Sequence, residues 1–247
     1  MTDAFVYSPP GAPWPKILYQ DKDVVVIEKP SGLLSNPGRG TALQDSVQLR
    51  LAQQFDGLYL IHRLDMATSG LMVFARRRKA EVHLKQQFAS RQVEKTYLAR
   101  VSGVPVLPAG LIDLPLAPDL AGAATAAPRN KVCFSSGKPA QTYYRVLCQE
   151  QNCAVLQLKP ITGRSHQLRV HLASLGHAIL GDAIYATAQA QQAAPCLLLH
   201  ATQLAFDQPY SGERLSFYCP PNLQDFGLDQ LPELYSTAQM LEPSCTV

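Results

Sequence analysis

The chain has 247 residues, 47% of them hydrophobic and 17% charged, with a formal net charge of +3. That length suits one large domain or two small ones with a core that needs no covalent staples. The composition excludes a disordered tail, a collagen-like chain and a coiled coil.

Residues 1–15 hold four prolines and one acid, Asp3, which reads as an N-terminal arm and not as a secretory leader. Asp23–Glu28 is a short β-branched run stopped by Lys29-Pro30, a buried strand. Leu43, Val47 and Leu51 recur at helical spacing behind Thr41, which predicts an amphipathic helix with Thr41 as its N-cap. Gly70–Ala75 reads as a strand and Lys79–Ala89 as a helix carrying Val82, Leu84 and Phe88. Thr96–Val101 alternates as a strand, with Tyr97, Ala99 and Val101 on one face, until Gly103-Val-Pro breaks it. The Ala/Pro-rich Pro115–Pro128 reads as loop. Ala140–Cys148 and Ala154–Leu158 flank the polar Gln149–Asn152, a hairpin. Ser165 starts a helix with Leu168, Leu172 and Leu175 on one face and Gly176 at C′. Cys196–Phe206 and Glu213–Cys219 supply the last strands, and residues 222–247 form an acidic tail. Hairpins and runs of strands with helices between some of them predict an α+β fold around a mixed, largely antiparallel central sheet flanked by helices and loops.

No apolar run approaches a membrane span; Val24–Ile27 and Cys196–Leu199 are among the longest. The six cysteines include no C-x-x-C pair, which favours reduced, mostly buried thiols in a cytoplasmic protein over a disulfide framework or a zinc site. Charge is concentrated: Arg76–Arg100 holds eight basic residues against Glu81 and Glu94, whereas residues 222–247 hold four acids and no Lys or Arg. A basic stretch of this kind is either a solvated helix face or a surface that tracks RNA phosphates.

Three patches carry chemistry. In the first, Ile61–Gly70, Asp65 lies beside Arg63 in a polar loop before a buried strand; opposite charge would hold it ionised, and a turn or capping role is the alternative. In the second, Thr162–His171, Gly163, Arg164 and the helix start at Ser165 make an anion site; His166 and His171 are five apart and cannot form the metal pair of a helix face. The third, Glu94–Arg100, offers Tyr97, which by itself is as well read as a core aromatic. The signatures of phosphate-loop NTPases, Rossmann dehydrogenases, α/β-hydrolases and zincins are absent.

Together these patches resemble the RluA-type pseudouridine synthases. The blocks are Lys29-Pro30-Ser31-Gly32, His62-Arg63-Leu64-Asp65 with Thr68-Ser69-Gly70, Lys95-Thr96-Tyr97, Gly163–Arg169, Gly176–Asp182 and Leu198–Ala201, in family order over most of the chain. Arg129–Cys133, Gly137–Thr142 and Met66-Ala67 are similar to the members that modify both 23S rRNA and tRNA. The resemblance implies a pseudouridine synthase catalytic domain over residues 16–221, with an active-site cleft across the sheet and no room for the S4-type RNA-binding domain of some relatives.

It implies Asp65 as the reacting carboxylate, Arg164 as its cationic partner and Tyr97 as the ring that stacks on uracil and takes the C5 proton. Arg63 is expected to fill the place the flipped base leaves, with His62, Leu64 and Arg169 as further substrate-binding residues. Arg76, Arg77, Arg78, Lys79 and Lys95 are expected to face the RNA backbone. The chemistry calls for no cofactor and no metal, and the expected partner is RNA, 23S rRNA or tRNA or both, acted on by a cytoplasmic monomer with no membrane contact. Two other readings stay open: a non-catalytic RNA-binding factor on the same scaffold, and a glycosidase-like hydrolase pairing Asp65 with Asp182. Asp182 is expected instead to shape the turn after Gly181.

Overall fold

Lys16–Gln20 (β1) pairs antiparallel with Val24–Lys29 (β2) in the computed structural model, which describes residues 6–11, 15–120 and 129–229. Asp21 shapes the turn between them, its Oδ1 accepting the N–H groups of Asp23 and Val24 at 2.7 Å. The chain divides into two units. The first runs to Lys95 and takes up His200–Cys219; the second comprises Thr96–Leu199 and the residues from Pro220 onward.

In the first unit β2 pairs antiparallel with Ser69–Ala75 (β4), Val26 opposite Val73 and Glu28 opposite Leu71. Tyr59–Leu60 (β3) also lies antiparallel to β4. Period-two alternation sends Val24, Val26, Leu71, Val73 and Ala75 to one face, where they meet Ala80 and Leu84 of the helix Arg78–Ala89 (α2). Val25, Ile27, Met72 and Phe74 point the other way and are also fully buried, which is why both strands read as continuous apolar runs. Val82 is 56% exposed, and the buried face of the helix is Ala80, Glu81, Leu84 and Gln87.

The helix expected from Thr41 starts later. Thr41–Leu43 is a 3₁₀ turn, and the α-helix is Val47–Ala52 (α1), capped by Ser46, whose Oγ accepts from the Leu49 N–H. Leu34 and Ser35 supply carbonyls to the Val47 and Gln48 N–H groups, so tertiary contacts satisfy the helix start there and not at Thr41. The arm packs onto this helix: Tyr7 donates to the Asp45 carbonyl and Arg50 donates to that of Pro10. Leu199–Asp207 (β11) lies parallel to β4, and Arg214–Tyr218 (β12) pairs antiparallel with β11, so the sheet of this unit is mixed.

The second unit is built on an antiparallel sheet of Glu94–Ser102 (β5), Cys153–Pro160 (β10), Gln141–Gln149 (β9) and Ala109–Asp113 (β6). The expected hairpin across Gln149–Asn152 is β9–β10. The stretch Pro115–Pro128, expected as loop, contains Leu116–Pro118 (β7), which pairs with Asn130–Val132 (β8); residues 121–128 lie outside the described residues. The next helix is Gln167–Ser174 (α3), two residues later than Ser165 because His166 adopts a left-handed backbone, φ 55°. Its end is a Schellman closure, Gly176 N–H to the Ala173 carbonyl and His177 N–H to that of Leu172. Ala188–Gln192 (α4) is a short helix capped by Thr187. The architecture is α+β with a mixed, largely antiparallel strand pairing, as the sequence implied. Among the described residues no helix is long and apolar enough to cross a membrane. Of the described cysteines only Cys219 is buried, and Cys133, Cys148, Cys153 and Cys196 are half-buried, fewer buried thiols than expected.

Candidate active site

The segment between β3 and β4 carries Asp65, and its backbone is fastened at nearly every step to the segment following β2. Ser35 Oγ donates to the Leu64 carbonyl at 2.7 Å and accepts the Leu64 N–H at 3.1 Å. The Met66 carbonyl accepts the Gly32 N–H and the Lys29 ammonium, both at 2.9 Å. Ser31 Oγ donates to the Ala67 carbonyl at 2.7 Å. Within the segment the Thr68 N–H returns to the Asp65 carbonyl, closing a turn over Asp65. Asp65 itself is half-buried.

Lys29 is the centre of this clamp. Its side chain is fully buried, and Nζ donates to the carbonyls of Pro30, Leu33 and Met66. Burial pulls its pKa from 10.5 to about 7, against the attraction of the Asp65 charge. The sequence marked Lys29-Pro30-Ser31-Gly32 only as a family block; here it is the element that fixes the Asp65 turn. A lysine ending an otherwise apolar buried strand was the available signal.

The loop leaves through Gly70, whose φ of +109° and close approach to β11 admit no side chain; a Cβ there would lie 2.3 Å from the Ala201 carbonyl oxygen. Beside it Ser69 Oγ lies 2.8 Å from His200 Nδ1, and His200 Nε2 lies 3.1 Å from the Cys219 carbonyl. A carbonyl only accepts, so Nε2 carries the proton and Nδ1 accepts from Ser69. Burial pushes the His200 pKa down to about 4.

Several expected substrate-binding residues serve the scaffold. His62 Nε2 accepts the Val73 N–H at 3.1 Å, and the ring stacks on Phe88 with centroids 4.8 Å apart. Burial, and secondarily the Lys95 cation, pushes its pKa down to about 3. Leu64 is buried and held through Ser35. Arg63 is exposed.

The basic stretch divides. Lys95 is half-buried with its ammonium 5.7 Å from the Phe88 ring centre, and burial lowers its pKa. Arg76 donates to the Asp21 carbonyl and lies 5.0 Å over Phe55. Both cations, expected at the RNA backbone, thus lie partly buried against aromatic rings. Arg77 faces Asp23 at 3.8 Å, and Arg78 and Lys85 share Glu81 at 2.5 and 2.6 Å. Arg77, Arg78 and Lys79 remain exposed at the head of α2.

In the second unit Tyr97 is half-buried on β5 opposite Leu158. Arg164 is exposed on the loop before α3, its Nε donating to the Pro139 carbonyl at 3.1 Å. That loop is organised by Gln167, a residue with no expected role of its own. Its Oε1 accepts from the Arg164 N–H and Thr162 Oγ1, and its Nε2 donates to the Gln141 carbonyl and Thr142 Oγ1. The expected anion site at this helix start is therefore partly filled by Gln167. His171 bridges Thr142 Oγ1 and the Leu114 carbonyl. Arg169 is 4% exposed and forms a two-pronged ion pair with Asp182 at 2.8 and 2.6 Å, beneath the Tyr185 ring. Arg169, expected among the substrate-binding residues, is buried and engaged with Asp182 in this structure. Asp182 Oδ1 also accepts the Ile184 and Tyr185 N–H groups, the turn role expected of it, which removes the glycosidase-like reading.

The comparisons with known proteins point one way. The family model described as RNA pseudouridylate synthase matches residues 23–174. The dual-specificity RNA pseudouridine synthase RluA of Escherichia coli strain K12 is 50% identical over 215 residues, 87% of this chain and 96% of that protein. Its namesake from Yersinia pestis is 48% identical over 204 residues, covering 82% and 97%. Among solved structures, human RNA pseudouridylate synthase domain containing 1 aligns with TM-score 0.70 at 27% identity over 87% of each chain, and domain containing 4 with TM-score 0.65 at 28% identity over 90% of each.

Proposed function

Since the chain belongs to the RNA pseudouridylate synthase family and is an RNA-modifying isomerase, we propose that it converts uridines in both 23S rRNA and tRNA hairpins, using Asp65 as the reacting carboxylate. The 50% identity to a dual-specificity enzyme over nearly its whole length supports the pair of substrates. The observation that carries the assignment of Asp65 is the clamp from Lys29, Ser31, Gly32 and Ser35, which spends buried hydrogen bonds on fixing one short turn.

The reaction breaks the C1′–N1 bond, turns the uracil, joins C1′ to C5, and exchanges the C5 proton for one on N1. The target base first leaves its stack, at a cost of a few kcal/mol. Arg63, exposed next to the clamped turn, stacks in the vacated place. Asp65 then acts at the reacting sugar or base, Tyr97 stacks on the uracil and takes the C5 proton, and Arg164 is the catalytic cation. Arg77, Arg78 and Lys79 meet phosphates along the RNA. The enzyme works as a cytoplasmic monomer whose catalytic domain spans residues 16–221.

The test is release of tritium from uracil C5 in an anticodon stem-loop and in a 23S rRNA hairpin, with the Asp65→Asn variant in parallel. Release from both RNAs by the wild type, and none by a variant that still binds them, is the expected result. Release from one RNA alone overturns dual specificity, and an active Asp65→Asn overturns the assignment of the carboxylate.

A further inference from the structure

The hairpin β7–β8 belongs to the same unit as Arg164 and has no part in the chemistry above. Beyond β8 the chain makes a tight turn over Cys133–Gly137 before Lys138 returns to pair with Leu116. The Cys133 N–H donates to the Pro115 carbonyl and the Gly137 N–H to the Cys133 carbonyl, both at 2.9 Å, while Leu116 and Lys138 exchange backbone bonds at 3.0 and 2.8 Å. The Cys133 thiol lies 3.4 and 3.2 Å from the Ser135 and Ser136 hydroxyls. A Cβ at Gly137 would meet the Cys133 carbonyl oxygen at 2.2 Å, so the turn closes only on glycine.

This frame holds Phe134 with 79% of its surface in water. Single exposed apolar side chains are ordinary. Phe134 differs in being a flat aromatic on a hydrogen-bonded turn among cations. Arg129–Lys138 holds Arg129, Lys131 and Lys138 and no acid, and all three are exposed; Lys131 pairs with Asp119 across the hairpin at 3.0 Å. The hairpin is also tied to the loop bearing Arg164. Arg164 Nε donates to the carbonyl of Pro139, the residue after Lys138, and Asn130 Nδ2 donates to the Ser165 carbonyl. The Asn130 N–H bonds the Tyr185 hydroxyl, which in turn meets His166 Nδ1.

We propose that Phe134 is a stacking platform for an unpaired base of the RNA substrate, with Arg129, Lys131 and Lys138 neutralising the phosphates on either side of that nucleotide. An aromatic face beside cations is the common means of holding single-stranded nucleic acid, since every base offers a π-face. The turn's internal bonds fix the backbone that carries the ring before RNA arrives, which lowers the ordering entropy that opposes binding. The platform rests on the RNA-isomerase reading and deepens it: it names an RNA contact outside the reacting nucleotide.

The test compares Phe134→Ala, Phe134→Leu and Phe134→Trp with the wild type, measuring the Kd for an anticodon stem-loop at fixed salt and the kcat and KM of tritium release. Because the side chain is exposed, melting temperatures should not move, and this is checked first. Phe134→Ala should raise Kd and KM by roughly 5- to 100-fold, the range for one lost base–aromatic stack, with kcat little changed. Phe134→Trp should restore binding and Phe134→Leu should not. Lys138→Gln should reduce the slope of log Kd against log salt by about one phosphate contact. An alanine variant within twofold of wild type, or a leucine variant as good as tryptophan, overturns the platform. A wild type that binds RNA but releases no tritium refutes the isomerase reading while the binding data still judge Phe134.

Discussion

Replacing Lys29 by Met keeps the volume of a fully buried side chain and removes its charge and its three hydrogen bonds. Two effects oppose each other. The Pro30 and Leu33 carbonyls lose their Nζ donor, whereas the Met66 carbonyl keeps the Gly32 N–H. Orphaning two buried carbonyls costs about 1–3 kcal/mol each, so the variant should be less stable by roughly 2–6 kcal/mol where Lys29 is neutral. The charged form adds a pH-dependent term. The folded-state pKa of about 7 lies below the ordinary 10.5, so between these values the unfolded chain binds the extra proton and wild-type stability rises with pH. At about 1.4 kcal/mol per pH unit, wild type should gain roughly 4 kcal/mol between about pH 6 and pH 10 that Lys29→Met does not share. Urea unfolding of both proteins across that range checks this, since all other titrations cancel in the difference. The gap should be widest at alkaline pH and shrink toward acid. Either a constant gap, meaning that Asp65 balances desolvation at Lys29, or one that widens toward acid, meaning that Asp65 outweighs it, would refute the burial argument.

His200 gives the complementary acid limb. Its pKa of about 4 lies below the ordinary histidine value, so its contribution is present above about pH 6.5 and is lost as pH falls toward 4, up to about 3 kcal/mol. His200→Gln should flatten the acid branch of a stability–pH curve measured by denaturant unfolding; an unchanged branch contradicts the assigned tautomer and burial. Arg169→Met leaves the Asp182 carboxylate buried without its guanidinium and should destabilise by about 3–5 kcal/mol. If urea melts place that variant within about 1 kcal/mol of wild type, the pair is not the strut described. At Cys133, hydrogen bonds from the Ser135 and Ser136 hydroxyls bring the thiol pKa down to about 6, whereas burial drives Cys219 up to about 12. Among the described cysteines, iodoacetamide near neutral pH should therefore label Cys133 first and leave Cys219 untouched, as peptide mass spectrometry would read out. RNA seated on Phe134 should slow that labelling.

The strands β2 and β4, the β9–β10 hairpin and the glycine end of α3 are legible in the sequence, because each is specified by residues close together in the chain: an apolar run, an alternation around a polar turn, a left-handed C′. It also determined the family, since its blocks depend on residue identity and order. It placed Asp65 but not what holds it. That Lys29, Ser31, Gly32 and Ser35 reach the carbonyls of Leu64, Met66 and Ala67 emerges from the fold alone, a pairing across some thirty residues that no local period encodes. The same holds for the start of α1, moved from Thr41 to Ser46 by carbonyls of Leu34 and Ser35. A cation in the sequence carries no mark of its partner. Arg169 reads like Arg164 until Asp182 arrives at 2.6 Å, and Arg76 and Lys95 read as surface until Phe55 and Phe88 lie against them. Burial and partnership are set by the folded chain, and they divide the arginines and lysines that build the scaffold from those that stay exposed.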